Sequence, residues 1–232
     1  MCFFQILLVS FVLYIATLVN FFPQYRYRKR VADCFLLKEN LIKKYLRGAL
    51  TTFLSSFAVA LSFIWILFNA VVSWKKIALV YFLAVTVLTL LLHFRLRRFL
   101  NAQVPQEVAD YVSFKLLPVA VTVFTIVPYA VIFYLSVPVT ELVPVADPQR
   151  YLEILTDRYS YLHCSLFQHL AVWGDFLNYL VWSLVLSLSK LSGQFFLFAA
   201  FFLIVKGGFC SWVVARTILG ALITVKTFKR KA

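Results

Sequence analysis

Residues 2–22, 49–72, 77–94 and 116–137 of this chain each run for 18 residues or more without a charged side chain. About 20 predominantly apolar residues in a helix cover the roughly 30 Å of hydrocarbon in a bilayer, so each stretch suits a membrane crossing. Composition agrees: 63% hydrophobic residues and a mean hydropathy of +0.89 exceed what a soluble domain carries, and 14% charged residues fall short of it. The expected fold is all-α, a polytopic transmembrane bundle of five or six segments forming one membrane domain, with amphipathic helices along both faces.

The boundaries have local causes. The first stretch ends at Pro23, ahead of the basic cluster "RYRKR". Asn69 is the strongly polar side chain of the second stretch, and His93 stands near the end of the third. Pro118 and Pro128 remove backbone donors from the fourth and predict kinks. A fifth stretch, 172–189, has Gly174-Asp175 at its outer edge and stops at Lys190. The first stretch reads as a retained anchor, because its positive charge follows the apolar core, whereas a signal peptide carries charge before it.

Lysine and arginine accumulate in cytoplasmic loops. Residues 23–48 hold Arg26, Arg28, Lys29, Arg30, Lys38, Lys43, Lys44 and Arg47, and 95–115 add Arg95, Arg97, Arg98 and Lys115. The opposite connections hold Lys75, Lys76, Arg150 and Arg158. This predicts an outer amino terminus, a multi-pass protein of the plasma membrane (a bacterial inner membrane), and a tail, "KTFKRKA", on the cytoplasmic side. The net charge of +14 then matches anionic lipid headgroups, with Arg26, Arg28, Lys29, Arg30, Lys43, Lys44 and Arg47 as their contacts. No nucleic-acid-binding module accompanies the charge, so nucleic acid is not an expected partner.

The last apolar run, 195–225, is interrupted by Lys206-Gly207-Gly208. With five crossings before it, a straight sixth would strand the basic tail outside. A turn at the glycines avoids this: 195–205 makes about 16 Å of helix, half the hydrocarbon thickness, so the segment would enter and return as a re-entrant hairpin. Its competitor is an overlong sixth helix with Lys206 turned into the bundle and Arg216 reaching the far surface. The third arrangement joins 176–205 into one crossing and buries Lys190 and Arg216. Lys206, Gly207, Gly208 and Arg216 are accordingly the candidate functional residues.

Outside the membrane, Asp147-Pro148 is a helix start, a capping carboxylate followed by a residue whose missing N–H is unneeded there. The residues after it predict an amphipathic helix of roughly six turns on the outer boundary or capping the bundle. His163, Cys164, His169 and Asp175 lie near one another in sequence. The two histidines, however, fall about 120° apart around a helix, which argues against a shared metal. Cys2 and Cys164 share the outer side, which allows a disulfide between them without requiring one. In the basic loop, Leu37, Leu41 and Leu46 among Lys38, Lys43 and Lys44 predict an elbow helix on the inner leaflet, and 104–114 predicts a short start leading into the fourth span.

All nine acids fall outside the core spans or, for Asp175, at an outer edge, and coupled transporters commonly keep a carboxylate or histidine relay inside. Serines such as Ser55, Ser56, Ser183 and Ser187 have no base beside them, and no phosphate loop, dinucleotide fingerprint or haem motif is present. No catalytic residue, metal ligand or cofactor is expected. The chain reads as a non-enzymatic subunit of a larger inner-membrane assembly, with other membrane-protein subunits as partners. The alternatives are a transporter or pore module in which Lys206 lines an anion-accessible cavity, and a membrane-disrupting effector or its immunity protein.

Overall fold

The computed structural model describes residues 2–35, 48–72, 76–100, 102–136, 147–192 and 194–229; Lys43, Lys44, Arg47 and most of the expected elbow helix lie outside the described residues. Among the described residues seven helices follow in order: α1 (Cys2–Phe35), α2 (Ala49–Val72), α3 (Lys76–Leu100), α4 (Gln106–Ser136), α5 (Pro148–Arg158), α6 (Ser165–Ser192) and α7 (Phe195–Lys229). All except α5 are long and apolar enough to cross a membrane, and the chain is a multi-pass membrane protein.

Five helices run between the two ends of the bundle in alternating directions. Arg28 of α1 donates to Thr51 at the start of α2, and Phe21 meets Phe53, so these helices are antiparallel. Between α3 and α4, Arg97 pairs with Asp110 at one end and Tyr81 stacks edge-on against Tyr129 at the other. Helix α7 descends beside α4, with Gly207 against Tyr129, Arg216 over Phe114 and Lys226 on Asp110. The central core forms there from Val85, Phe114, Leu117, Val121, Val214, Ala215 and Leu219.

The chain does not turn at Gly207-Gly208. Helix α7 is continuous for 35 residues, and packing explains its glycines. Gly207, Ser211 and Ala215 are buried at four-residue intervals on the face toward α4 and α3, the small-residue spacing that lets membrane helices approach closely. A side chain on Gly207 would run into the Tyr129 ring, and one on Gly208 would press on Ile126 and Thr122.

The topological dilemma is resolved by α6 instead. It lies antiparallel to α7, since Asn178 meets Lys206, Trp182 meets Phe202, and Val185 clusters with Leu203. Its first residues are held at the end of the bundle where α1 begins, through the Cys2–Cys164 disulfide and Phe167 against Phe68. Its last residues lead into α7, whose first 12 residues extend about 18 Å beyond the Gly207–Tyr129 contact. Both ends of α6 therefore stay at one end of the bundle, although its length and composition suit a crossing. Five traversing helices place Cys2 and Lys226 at opposite ends, with Lys226 beside Asp110 and Arg97.

Helix α5 starts as expected: Asp147 Oδ1 accepts from the Gln149 amide at 2.9 Å, with Pro148 in the first turn. It is shorter than the sequence suggests, stopping at Arg158. The next turn brings the Tyr159 hydroxyl to Asp175 at 2.6 Å and Cys164 to its disulfide, which a continuous helix would point elsewhere. Leu155, Tyr159, Ala171 and Val172 then form a second core that caps the bundle.

Candidate functional site

Lys206 sits where α6 and α7 meet. Its ammonium donates to Asn178 Oδ1 at 2.8 Å and lies 5.8 Å from the Phe202 ring centre. An amide oxygen and a ring face compensate part of the cost of partly burying this cation. The helix break on which an anion-lined cavity at Lys206 depended is absent, so no free backbone amides gather there.

Below it runs a buried polar seam. Ser211 Oγ donates to the Gly207 carbonyl at 2.8 Å, accepts from Thr125 Oγ1 at 2.8 Å, and makes a short hydrogen bond with the Tyr81 hydroxyl. Further along, Asn20 Nδ2 donates to the Ala16 carbonyl at 2.9 Å and reaches Thr217 Oγ1, while Gln24 reaches Ser56. The interior thus carries hydroxyls and amides, while Leu83, Leu116, Phe124 and Val127 face outward. Beside the apolar core, such polar contacts help bind helices together in lipid, where apolar burial drives little association.

Arg216 does not reach the far surface. Its guanidinium stacks 4.7 Å from the Trp212 ring centre and 5.4 Å from that of Phe114, and its Nε has no hydrogen-bond partner among the described residues. Arg28 and Lys115 are near enough to influence each other and Arg216 electrostatically, around the stacked pair of Tyr27 and Tyr111. Arg216 lies ten residues along α7 from Lys206, and the two candidates make no common site. Of the headgroup candidates, Arg26 and Lys29 are exposed and Arg28 is half-buried, while the side chain of Arg30 lies outside the described residues.

An open concavity of about 440 Å³ lies at the basic end, between the last turns of α3 and α7 and the start of α4. Lys226 Nζ grips both carboxylate oxygens of Asp110, at 3.2 and 3.1 Å, and Arg97 Nε stands 3.6 Å from the same carboxylate. His93 lines this cavity with 4% of its surface exposed. Its Nδ1 and Arg97 Nε have no hydrogen-bond partner among the described residues. Phe94, Leu222, Ile223 and Val225 supply apolar walls.

Sequence reasoning noted His93, Arg97 and Lys226 singly and did not join them. His93 and Arg97 are four residues apart and share a helix face, a readable signal. Nothing in the sequence ties that pair to Asp110 or Lys226. The tempting group near His163 does not form: Cys164 is in the disulfide, and Asp175 accepts from Tyr159 and faces Arg158 at 4.0 Å. No known protein family, curated protein or solved structure matches this chain.

Proposed function

We propose that this protein is a non-enzymatic integral subunit of a larger membrane assembly, recruited through the hairpin of α6 and the first turns of α7. One observation carries the reading. The hairpin extends past the end of the bundle yet keeps Leu184, Leu197 and Phe201 exposed at 58%, 62% and 66%. Beyond the roughly 30 Å reach of hydrocarbon, lipid tails no longer cover such side chains, and a partner subunit does.

The proposed setting is the plasma membrane, a bacterial inner membrane, with the Cys2–Cys164 end outside and the Lys226 end in the cytoplasm. The basic end accords with the charge rule for cytoplasmic segments. The disulfide at the other end accords with an oxidising compartment.

Native membranes extracted in mild detergent provide the test. The protein is expected to migrate in a complex well above its own 26.8 kDa plus a micelle, and to separate from it after Leu197→Glu and Phe201→Glu. A solitary wild-type monomer, folded and stable, would overturn the proposal.

A further inference from the structure

We infer that a second copy of this chain docks along α6, its own α6 meeting the stripe of Leu166, Leu170, Trp173, Leu177, Leu180 and Leu184. The inference rests on the assembly reading above and names the partner that covers the hairpin.

The six residues stand four, three, four, three and four positions apart, the spacing of a heptad seam. At 3.6 residues per turn they keep within an arc of about 80°. All six are exposed, between 37% and 58%. Ser187, exposed at the next position of the pattern, completes three heptads and about 32 Å of seam. The other faces of α6 are occupied. Val172 packs with Leu155 and Tyr159 of the cap and Tyr179 stacks on Tyr151, while Asn178, Trp182 and Val185 meet α7.

The residues beside the stripe choose its occupant. In a heptad seam the flanking positions set partner choice through paired charges. Between Leu166 and Leu184 those positions hold Phe167, His169, Gly174, Phe176, Val181 and Ser183, none of them charged with the histidine neutral. Two copies therefore meet without repulsion, whereas a helix with charged flanks would find nothing to pair with. The stripe also matches itself, apolar at each seam position through Leu184, as an interface with two-fold symmetry requires. Lipid is the competing cover. Beside α6, however, the first turns of α7 reach past the end of the bundle, where the hydrocarbon that covers the outward side chains of the bundle runs out.

Cross-linking of the full-length chain in its own membranes tests this, with Cys34→Ser and Cys210→Ser introduced and the Cys2–Cys164 disulfide kept. Leu177→Cys, near the middle of the seam in either relative direction of the two helices, should be joined by a short bismaleimide into a species of twice the chain's mass. Val123→Cys, 65% exposed on the outward face of α4, should stay monomeric, which separates docking from chance collision. Leu184→Glu, added to Leu177→Cys, puts a carboxylate in the seam and should cut the yield about tenfold or more; an intact Cys2–Cys164 disulfide marks the variant as folded. A yield undiminished by Leu184→Glu, or no cross-link at Leu177→Cys, would overturn the inference. Native electrophoresis of the same membranes separates the two failures. A large complex without the Leu177→Cys homodimer overturns the second copy and leaves the assembly in place, whereas a solitary monomer overturns both.

Discussion

Gly220 lies against the carbonyl oxygen of Val19, the carbonyl that Pro23, four residues on, leaves without its helical donor. A proline in one helix and a glycine 197 positions later therefore form one contact. The glycine lets α7 approach α1 closely enough for its own backbone to cover the freed carbonyl, a weak but favourable arrangement where no water is available.

Gly220→Ala places a methyl group on that backbone oxygen, which cannot swing aside as a side chain would. The expected loss is about 1–3 kcal/mol, with Gly220→Val worse, measured by unfolding in mixed detergent micelles. An unchanged unfolding curve for Gly220→Val would refute the contact.

The adjacent glycines should behave differently from one another. Gly207→Ala drives the Tyr129 ring out of its place between α3 and α7 and should lower the melting temperature. Gly208→Ala meets only the flexible end of Ile126 and a Thr122 methyl. It should be close to neutral, because a helical Gly→Ala change itself gains up to about 1 kcal/mol. A hinge at these glycines would instead make both substitutions impair the protein alike.

Ser211 holds three elements of the bundle at one oxygen. Ser211→Ala leaves Thr125 Oγ1 its bond to the Val121 carbonyl and the Tyr81 hydroxyl its longer one to the Thr125 carbonyl, so the loss of the shared contacts should cost about 1 kcal/mol. Adding Tyr81→Phe to it should cost less than the sum of the two single changes, which a double-mutant cycle measures. Strict additivity would show that the hydroxyls do not interact.

The path of α6 predicts an accessibility pattern. Cysteines introduced at Ala102 and Gln194, in a background without native cysteines, should react with an impermeant maleimide from opposite sides of the membrane. Labelling of both from the same side would mean that α6 crosses after all. With native cysteines kept, Cys2 and Cys164 should migrate as a disulfide-linked pair until reduced, and then react from the Gln194 side.

Membrane residence, the main apolar segments and the Asp147 cap were legible in the sequence because each depends on neighbouring residues alone: the length of an apolar run, or a carboxylate one position ahead of a proline. The sequence also put Cys2 and Cys164 on one side and offered an overlong helix through Lys206. It could not choose between that helix and a turn. A glycine pair in an apolar run serves equally to bend a chain or to admit a neighbouring ring, and only the position of Tyr129 decides which.

The same holds for α6, whose length and composition suit a crossing while its contacts hold its first residues beside Cys2 and Phe68. Whether a long apolar helix traverses the bundle or folds back along one end depends on its partners, here Cys2, Phe68 and the first turns of α7. The cavity of His93, Arg97, Asp110 and Lys226 joins groups up to 133 positions apart. Hydropathy and spacing report what each segment prefers as solvent; which segments meet is decided by packing of the whole chain, and the tertiary structure alone determines that.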